Sequence, residues 1–290
     1  MFSRLFARTN WKLEREAEVS LNYQDLSNPS QSDFQSCNAV SGRGNRSTHL
    51  FKPSLNTHTI NKRSNIMSNQ KISSLNISSR ATRALIEIEA CAKSAADSGR
   101  EFLNLCDMEA YKRFLHVMYH YTLESGKKCS TAAKNINAPD VKELFLHFDE
   151  EEALHFRLAL KDIQAFGEVP SEEVPDTVNA IDHLWTSLEG RHHNGYLGML
   201  YVYENIAKYV QQDVEDCIKR LGLGSTEKRW LTAHAKEDLE HGQVIMDMLK
   251  KHIEDNPTIA VSAAKQASAL WSTMMLDIID EGYQKLPLAA

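Results

Sequence analysis

The chain has 290 residues, with 33 Lys or Arg against 39 Asp or Glu, a formal net charge of -6, and 42% apolar and 25% charged side chains. That is the average of a soluble globular protein with material for a sizeable core, and it excludes collagen-like, wholly disordered and strongly basic nucleic-acid-binding classes. No run approaches the roughly 18 apolar residues of a membrane-spanning helix, so no membrane role is expected. The five cysteines (Cys37, Cys91, Cys106, Cys129, Cys217) are scattered without a CxxC spacing. They argue against a disulfide framework or a thiolate zinc site, and for a reduced, cytoplasmic compartment.

Residues 1–66 differ in kind from the rest. Ser, Asn, Thr and Gln fill 25 of these positions, and periodic apolar spacing is missing after Leu21, so the segment reads as a disordered extension. It holds nine of the basic and five of the acidic residues, so residues 67–290 carry a balance of -10, which further disfavours nucleic acid as a partner. Its opening, MFSRLFART, has the basic and apolar residues of a transit peptide, but Glu14, Glu16 and Glu18 follow at once and such peptides avoid acids. Met67 begins a stretch that resembles an ordinary protein start.

From residue 79 onward the pattern is helix after helix: windows rich in Ala, Leu, Glu, Lys and Met, without alternating β-branched runs. The spacing predicts helices over 79–97, 107–135, 140–167, 175–190, 193–222, 226–253 and 258–284. Asp107 and Asp140 are candidate N-caps, Gly167 and Gly222 candidate terminators, and Ser225 and Thr226 restart the chain after Gly222 and Gly224. The predicted fold is all-α, a single bundle of about seven helices over 67–290.

Within that bundle, polar residues fall on faces meant for burial. In HAKEDLEH, a helical advance of about 100° per residue puts His234, Asp238 and His241 within about 60° of one another, on a stripe shared with Trp230, Leu231, Ile245 and Leu249. Three ionisable groups on an apolar stripe are costly unless something binds them, and HxxxDxxH offers nitrogen and oxygen ligands from one rigid surface. The bland alternative is a pair of core histidines neutralised by an aspartate. In HFDEEEALHFRLA, Glu152 and His155 are spaced i, i+3 and Glu151 and His155 i, i+4, on a face with Leu144, Phe148 and Ala159. An ExxH pair is half of a carboxylate-bridged di-iron arrangement; a solvated acidic patch is the competing reading, and His147 is placed as structural. Glu204, in GYLGMLYVYE, sits among Leu197, Leu200, Tyr201 and Ala207 and needs a partner if buried.

Glu152, His155, Glu204, His234, Asp238 and His241 thus supply three carboxylates and three imidazoles from three helices. Hard oxygen and borderline nitrogen without thiolate suit iron, with manganese as the alternative, and bridging carboxylates point to dioxygen activation. His120 and Glu124, at i, i+4, are candidates for an outer ligand or supporting hydrogen bond, with packing equally expected. Tyr119, Tyr121, Tyr201 and Tyr203 receive no role beyond core.

The ExxH segment running to AFG at Gly167, the GxLGxLYxxE segment ending at Glu204, and HxxxDxxH at 234–241 resemble the heme-oxygenase-like di-iron oxidases and oxygenases, a branch of the TenA/PqqC/heme-oxygenase superfamily. The resemblance covers about residues 80–284. It implies a seven-helix fold around a labile metal site, two Fe(II) ions in this chain, and activation of O2 to oxidise a small amine, amino acid or fatty acid, with an electron donor as a candidate partner. The chain departs from the pattern in its crowded EEE, where Glu151 or Glu150 can take the place given to Glu152, and the extra bridging carboxylate of some members has Glu124 as its nearest candidate. A single-metal enzyme, a ferritin-like di-iron protein, a true heme oxygenase and a non-catalytic helical binding protein are the rival readings. A TenA-like hydrolase fits less well, because no cysteine lies on the metal stripe. The oligomeric state stays open, with a homodimer as the common expectation.

Overall fold

The computed structural model describes residues 77–283, so the 1–66 extension and the Met67 start lie outside the described residues. Every described element is a helix: α1 Ser79–Leu105, α2 Met108–Thr122, α3 Ser125–Asn135, α4 Pro139–Glu152, α5 Phe156–Ala165, α6 Asp176–Ser187, α7 Asn194–Glu204, α8 Ile206–Leu221, α9 Arg229–His252 and α10 Pro257–Tyr283. Among the described residues no helix is long and apolar enough to cross a membrane.

The seven predicted helical segments are all present, but three of them are broken in two. The segment 107–135 divides at 123–124, 140–167 at 153–155, and 193–222 at Asn205. None of these breaks contains Gly or Pro, the usual causes of a kink; each adjoins a polar candidate residue, Glu124, Glu152 with His155, and Glu204. The first helix also runs past its predicted end at 97 to Leu105. A Cβ at Gly99 would sit at ordinary contact distance from Ile206 and Trp271, so packing carries α1 through a glycine that propensity alone would make an end.

The helix ends follow local chemistry. Ser78 caps α1 by accepting from the Ala81 N–H, and Asp107 caps α2 by accepting from the Ala110 N–H at 2.7 Å. Asp140 does not cap α4: Ala138 is the N-cap, Pro139 takes the first helical position, and Asp140 instead binds Lys251 and His252 across the bundle. Gly222, at φ +68°, closes α8 in the left-handed conformation. The restart expected at Ser225 and Thr226 comes three residues later, with α9 beginning at Arg229.

α10 packs along both α1 and α7, α8 lies against α1 and α9, α9 also touches α7, α2 pairs with α5, and α3 pairs with α4. α7 is the innermost: every residue from Asn194 to Tyr203 is buried, the mark of a helix surrounded on all sides. Two glycines set how closely it is approached. A Cβ on Gly198 would lie 2.2 Å from the Ala260 carbonyl oxygen of α10, and one on Gly242 of α9 would lie 2.6 Å from the Asn205 side-chain amide at the α7–α8 break. The Asn205 amide also donates to the Tyr201 carbonyl at 2.9 Å, taking up a backbone acceptor near the break. Gly242 therefore lets α9 bring its neighbour His241 against Glu204, the last residue of α7.

Candidate metal centre

Three helix ends and one helix middle converge here. Glu151 and Glu152 end α4, His155 opens α5, Glu204 ends α7, and His234, Asp238 and His241 lie along α9. The ligand atoms of Glu152, Glu204 and His241 all lie within 4.8 Å of one another. His241 Nδ1 is 3.0 Å from Glu204 Oε2 and 3.8 Å from Glu152 Oε1, while its Nε2 is 3.2 Å from Glu151 Oε2. His155 Nδ1 is 2.7 Å from Glu152 Oε2, and the His155 ring meets that of His234 edge-on, with centroids 4.9 Å apart.

The electrostatics are those of a cation site. Burial works against a charge on His241, but Glu151 and Glu204 at its two nitrogens, joined by Glu152, carry its pKa up to about 11. Without a metal the imidazolium balances the converging carboxylates; a cation bound there would take over that charge, and the ring would give up a proton to become a ligand. The His241 contact holds Glu151 below the usual carboxylate range, whereas burial pushes Glu152 up and the charge of Glu204 adds to that. His234 is the opposite case: burial first and His155 second pull it down to about 3, so the ring is neutral. Its Nδ1 lies 2.9 Å from the Trp230 carbonyl, which accepts, so Nε2 keeps the lone pair that a metal ligand needs.

That orientation has its own support. The His234 ring stacks on Trp230 at 3.9 Å between centroids. The backbone N–H of Trp230 donates to Asp162 Oδ2 at 2.9 Å, and Arg229 Nη1 lies 3.3 Å from Oδ1. Asp162 is fully buried and fixes the first turn of α9, and with it the carbonyl that orients His234.

Of the six predicted ligands, Glu152, His155, Glu204 and His241 share direct contacts, and His234 joins them through His155. Asp238 lines, with His234, an adjoining cavity of about 70 Å³, and its charge reaches the buried Tyr121 hydroxyl together with those of Glu204 and Glu152. Glu151 is drawn into the cluster, Glu150 is exposed, and His147 pairs with Glu151 at 3.3 Å. His120 Nε2 is 2.9 Å from the Ser171 carbonyl oxygen, and buried Glu124 is 3.5 Å from Lys127 Nζ.

Five contributors carried no clear signal in the sequence. Cys129 of α3 is buried, and after burial itself the Glu152 and Glu204 charges push its thiol well above the usual range, so a cysteine does stand near the carboxylates even though none lies on the α9 stripe. Asp162 looks like any helix-surface aspartate until α9 is packed on it. Tyr203, Trp230 and Trp271 line the cavity, and the Tyr203 hydroxyl and both indole N–H groups are buried without a hydrogen-bond partner.

The residues present fit a hard or borderline cation: oxygen and imidazole donors face one another, and thiolate is not among the converging groups. A model of the family described as "Iron-containing redox enzyme" matches residues 112–273, more than half of the chain, and the chain belongs to that family. Iron is accordingly the metal the family indicates, and redox chemistry the class of reaction. The crystal structure of a domain of unknown function with a heme oxygenase-like fold from Shewanella denitrificans OS217 matches with a TM-score of 0.62 at 19% sequence identity, over 72% of this chain and 95% of that one. That likeness establishes the heme oxygenase-like fold expected from the motifs. A comparison with curated proteins found no match.

Proposed function

We propose that the protein is an O2-activating non-heme di-iron oxidase or oxygenase acting on a small organic substrate. The observation that carries this reading is the convergence of the Glu152 and Glu204 carboxylates on His241, beside the His155 and His234 rings and a largely apolar cavity. Glu152, His155, Glu204, His234, Asp238 and His241 would hold the metal, with Glu151 as the competing carboxylate. Iron bound there supplies dioxygen binding and the redox equivalents for substrate oxidation.

The chain's own groups do the rest. The lone pair on His234 Nε2 is held ready by the Nδ1–H to Trp230 carbonyl bond. The apolar wall of the cavity, formed by Phe102, Phe114, Val210 and Met275 among others, excludes water from a substrate placed next to His234 and Asp238. The Trp271 indole N–H, buried without a hydrogen-bond partner in a residue of the cavity wall, would hold an acceptor group of that substrate, which suits an amino acid or fatty acid carboxylate better than a bare amine. O2, the substrate and an electron donor are the expected partners.

The test is anaerobic purification, loading with Fe(II), and measurement of bound iron per chain together with the visible absorbance on mixing with O2. Two irons per chain and an O2-dependent band support the reading. Glu204→Ala and His241→Ala should each abolish both; full O2 uptake in either variant overturns it. One iron per chain with unchanged O2 uptake would replace it with a single-metal enzyme.

A further inference from the structure

Outside the interior cluster, a second set of ligand-type side chains meets at the other ends of the same helices. His192 and His193 precede α7, and Asp255 lies in the turn between α9 and α10; their ligand atoms all fall within 4.8 Å of one another. The two imidazole centroids are 4.1 Å apart, and the His193 ring stands edge-on to His252 at 5.1 Å. His252 is held by Asp140, with Nε2 2.9 Å from Oδ2, and its carbonyl accepts from the Asn194 side-chain amide at 2.8 Å. The surrounding frame is therefore tied together, while His193 Nε2 is a buried nitrogen with no hydrogen-bond partner. The Asn194 N–H lies 3.3 Å from His192 Nδ1, so the lone pair of that ring is on Nδ1, held only by a long hydrogen bond that a cation can replace.

We propose that His192, His193 and Asp255 form a second, peripheral site for a borderline divalent cation of the Zn(II) type, which clamps the start of α7 to the end of α9. Two imidazoles and one carboxylate suit Zn(II), Co(II) or Cu(II) and not the all-oxygen cations. Bonds of about 2.1 Å place tetrahedral ligand atoms about 3.4 Å apart, so closure needs about 1 Å of movement, which the exposed Asp255 side chain provides by rotation. Water fills the remaining position. The helical rise of 1.5 Å per residue puts this site about 16 Å from the interior cluster along both helices, from His193 to Glu204 and from His252 to His241. A cation there fixes the register of α7 against α9, and so the meeting of Glu204 with His241.

The proposal stands apart from the interior reading and is tested so that the two fail separately. Metal-free full-length protein carrying His241→Ala, which disables the interior cluster, is titrated with Zn(II) by calorimetry. It is compared with the same protein also carrying His192→Ala or Asp255→Ala, two changes at side chains outside the core. One Zn(II) should bind the parent, raise its melting temperature, and bind about tenfold or more weakly in each double variant. Cu(II) in place of Zn(II) should show hyperfine coupling to two imidazole nitrogens in the parent and to one after His192→Ala. Equal Zn(II) affinity and an unchanged Cu(II) spectrum in the double variants would overturn the proposal, whatever the iron and O2 measurements give.

Discussion

Gly198→Ala isolates the packing that delivers Glu204. In an exposed helix interior this exchange stabilises by about 1 kcal/mol, because alanine loses less backbone freedom than glycine. Here the new Cβ would lie 2.2 Å from the Ala260 carbonyl oxygen, where ordinary contact begins at 3.4 Å, and the neighbouring Ala260 carbon atoms are within 3 Å as well. The obstacle is backbone, so α7 and α10 must part by about 1 Å where Gly198 meets Ala260. Overpacking costs about 1–3 kcal/mol, and a clash with backbone belongs at the upper end. The net expectation is destabilisation by about 2 kcal/mol, a fall in melting temperature of about 4–8 °C for a domain of this size. Gly195→Ala serves as the control: its nearest obstacle is a Leu188 methyl at 2.8 Å, which can rotate away, and the fall should be smaller. Thermal unfolding followed by circular dichroism gives both numbers, and iron retained after desalting reports on Glu204. A Gly198→Ala protein as stable as the parent would refute the reasoning, since propensity would then have outweighed the contact.

Other outcomes follow from single contacts. Asp162→Ala leaves the buried backbone N–H of Trp230 without its acceptor, at a cost of about 1–3 kcal/mol, and should weaken iron retention through His234, read by melting temperature and iron content. Burial opposes the ionisation of Glu89, but hydrogen bonds from Tyr201, Tyr209 and Lys208 hold its pKa below the ordinary value. Its stabilising contribution is therefore present above the ordinary carboxylate pKa and is lost as pH falls through the lowered one. Melting temperatures between pH 7 and pH 3 should drop more steeply for the parent than for Glu89→Gln.

The helices were legible because their apolar faces repeat and their ends carry Asp107, Gly167 and Gly222 where the backbone requires them. The three breaks were not, because Glu124, the Ala153–His155 turn and Asn205 contain no breaker; they depend on what packs across them, as Gly242 does on Asn205. The site was legible as charge where apolar residues belong: Glu204 and His241 lie on faces that the periodicity assigns to the core, and they do meet. The choice between Glu151 and Glu152 was not legible, since adjacent residues at a helix end both reach His241, one at each ring nitrogen. Asp140 shows the reverse error, where a plausible cap is claimed by partners about 110 positions away in the chain. The orphan donors of Tyr203 and Trp271 look in the sequence like any core aromatics, and only three-dimensional placement reveals that nothing satisfies them.

The burial of α7 on every side has a kinetic consequence. Its backbone amides can exchange with solvent only when the whole bundle opens, so Glu204 rides on the segment slowest to exchange. The carboxylates facing it end α4 at a turn where Leu154 is 52% exposed, and local opening there needs far less of the fold to be disrupted. The cluster thus joins a helix buried on every side to a turn at the surface. Deuterium uptake should therefore be faster in the 153–155 turn than in α7, and if the proposed metal binds here, its exchange should follow opening of that turn rather than of α7.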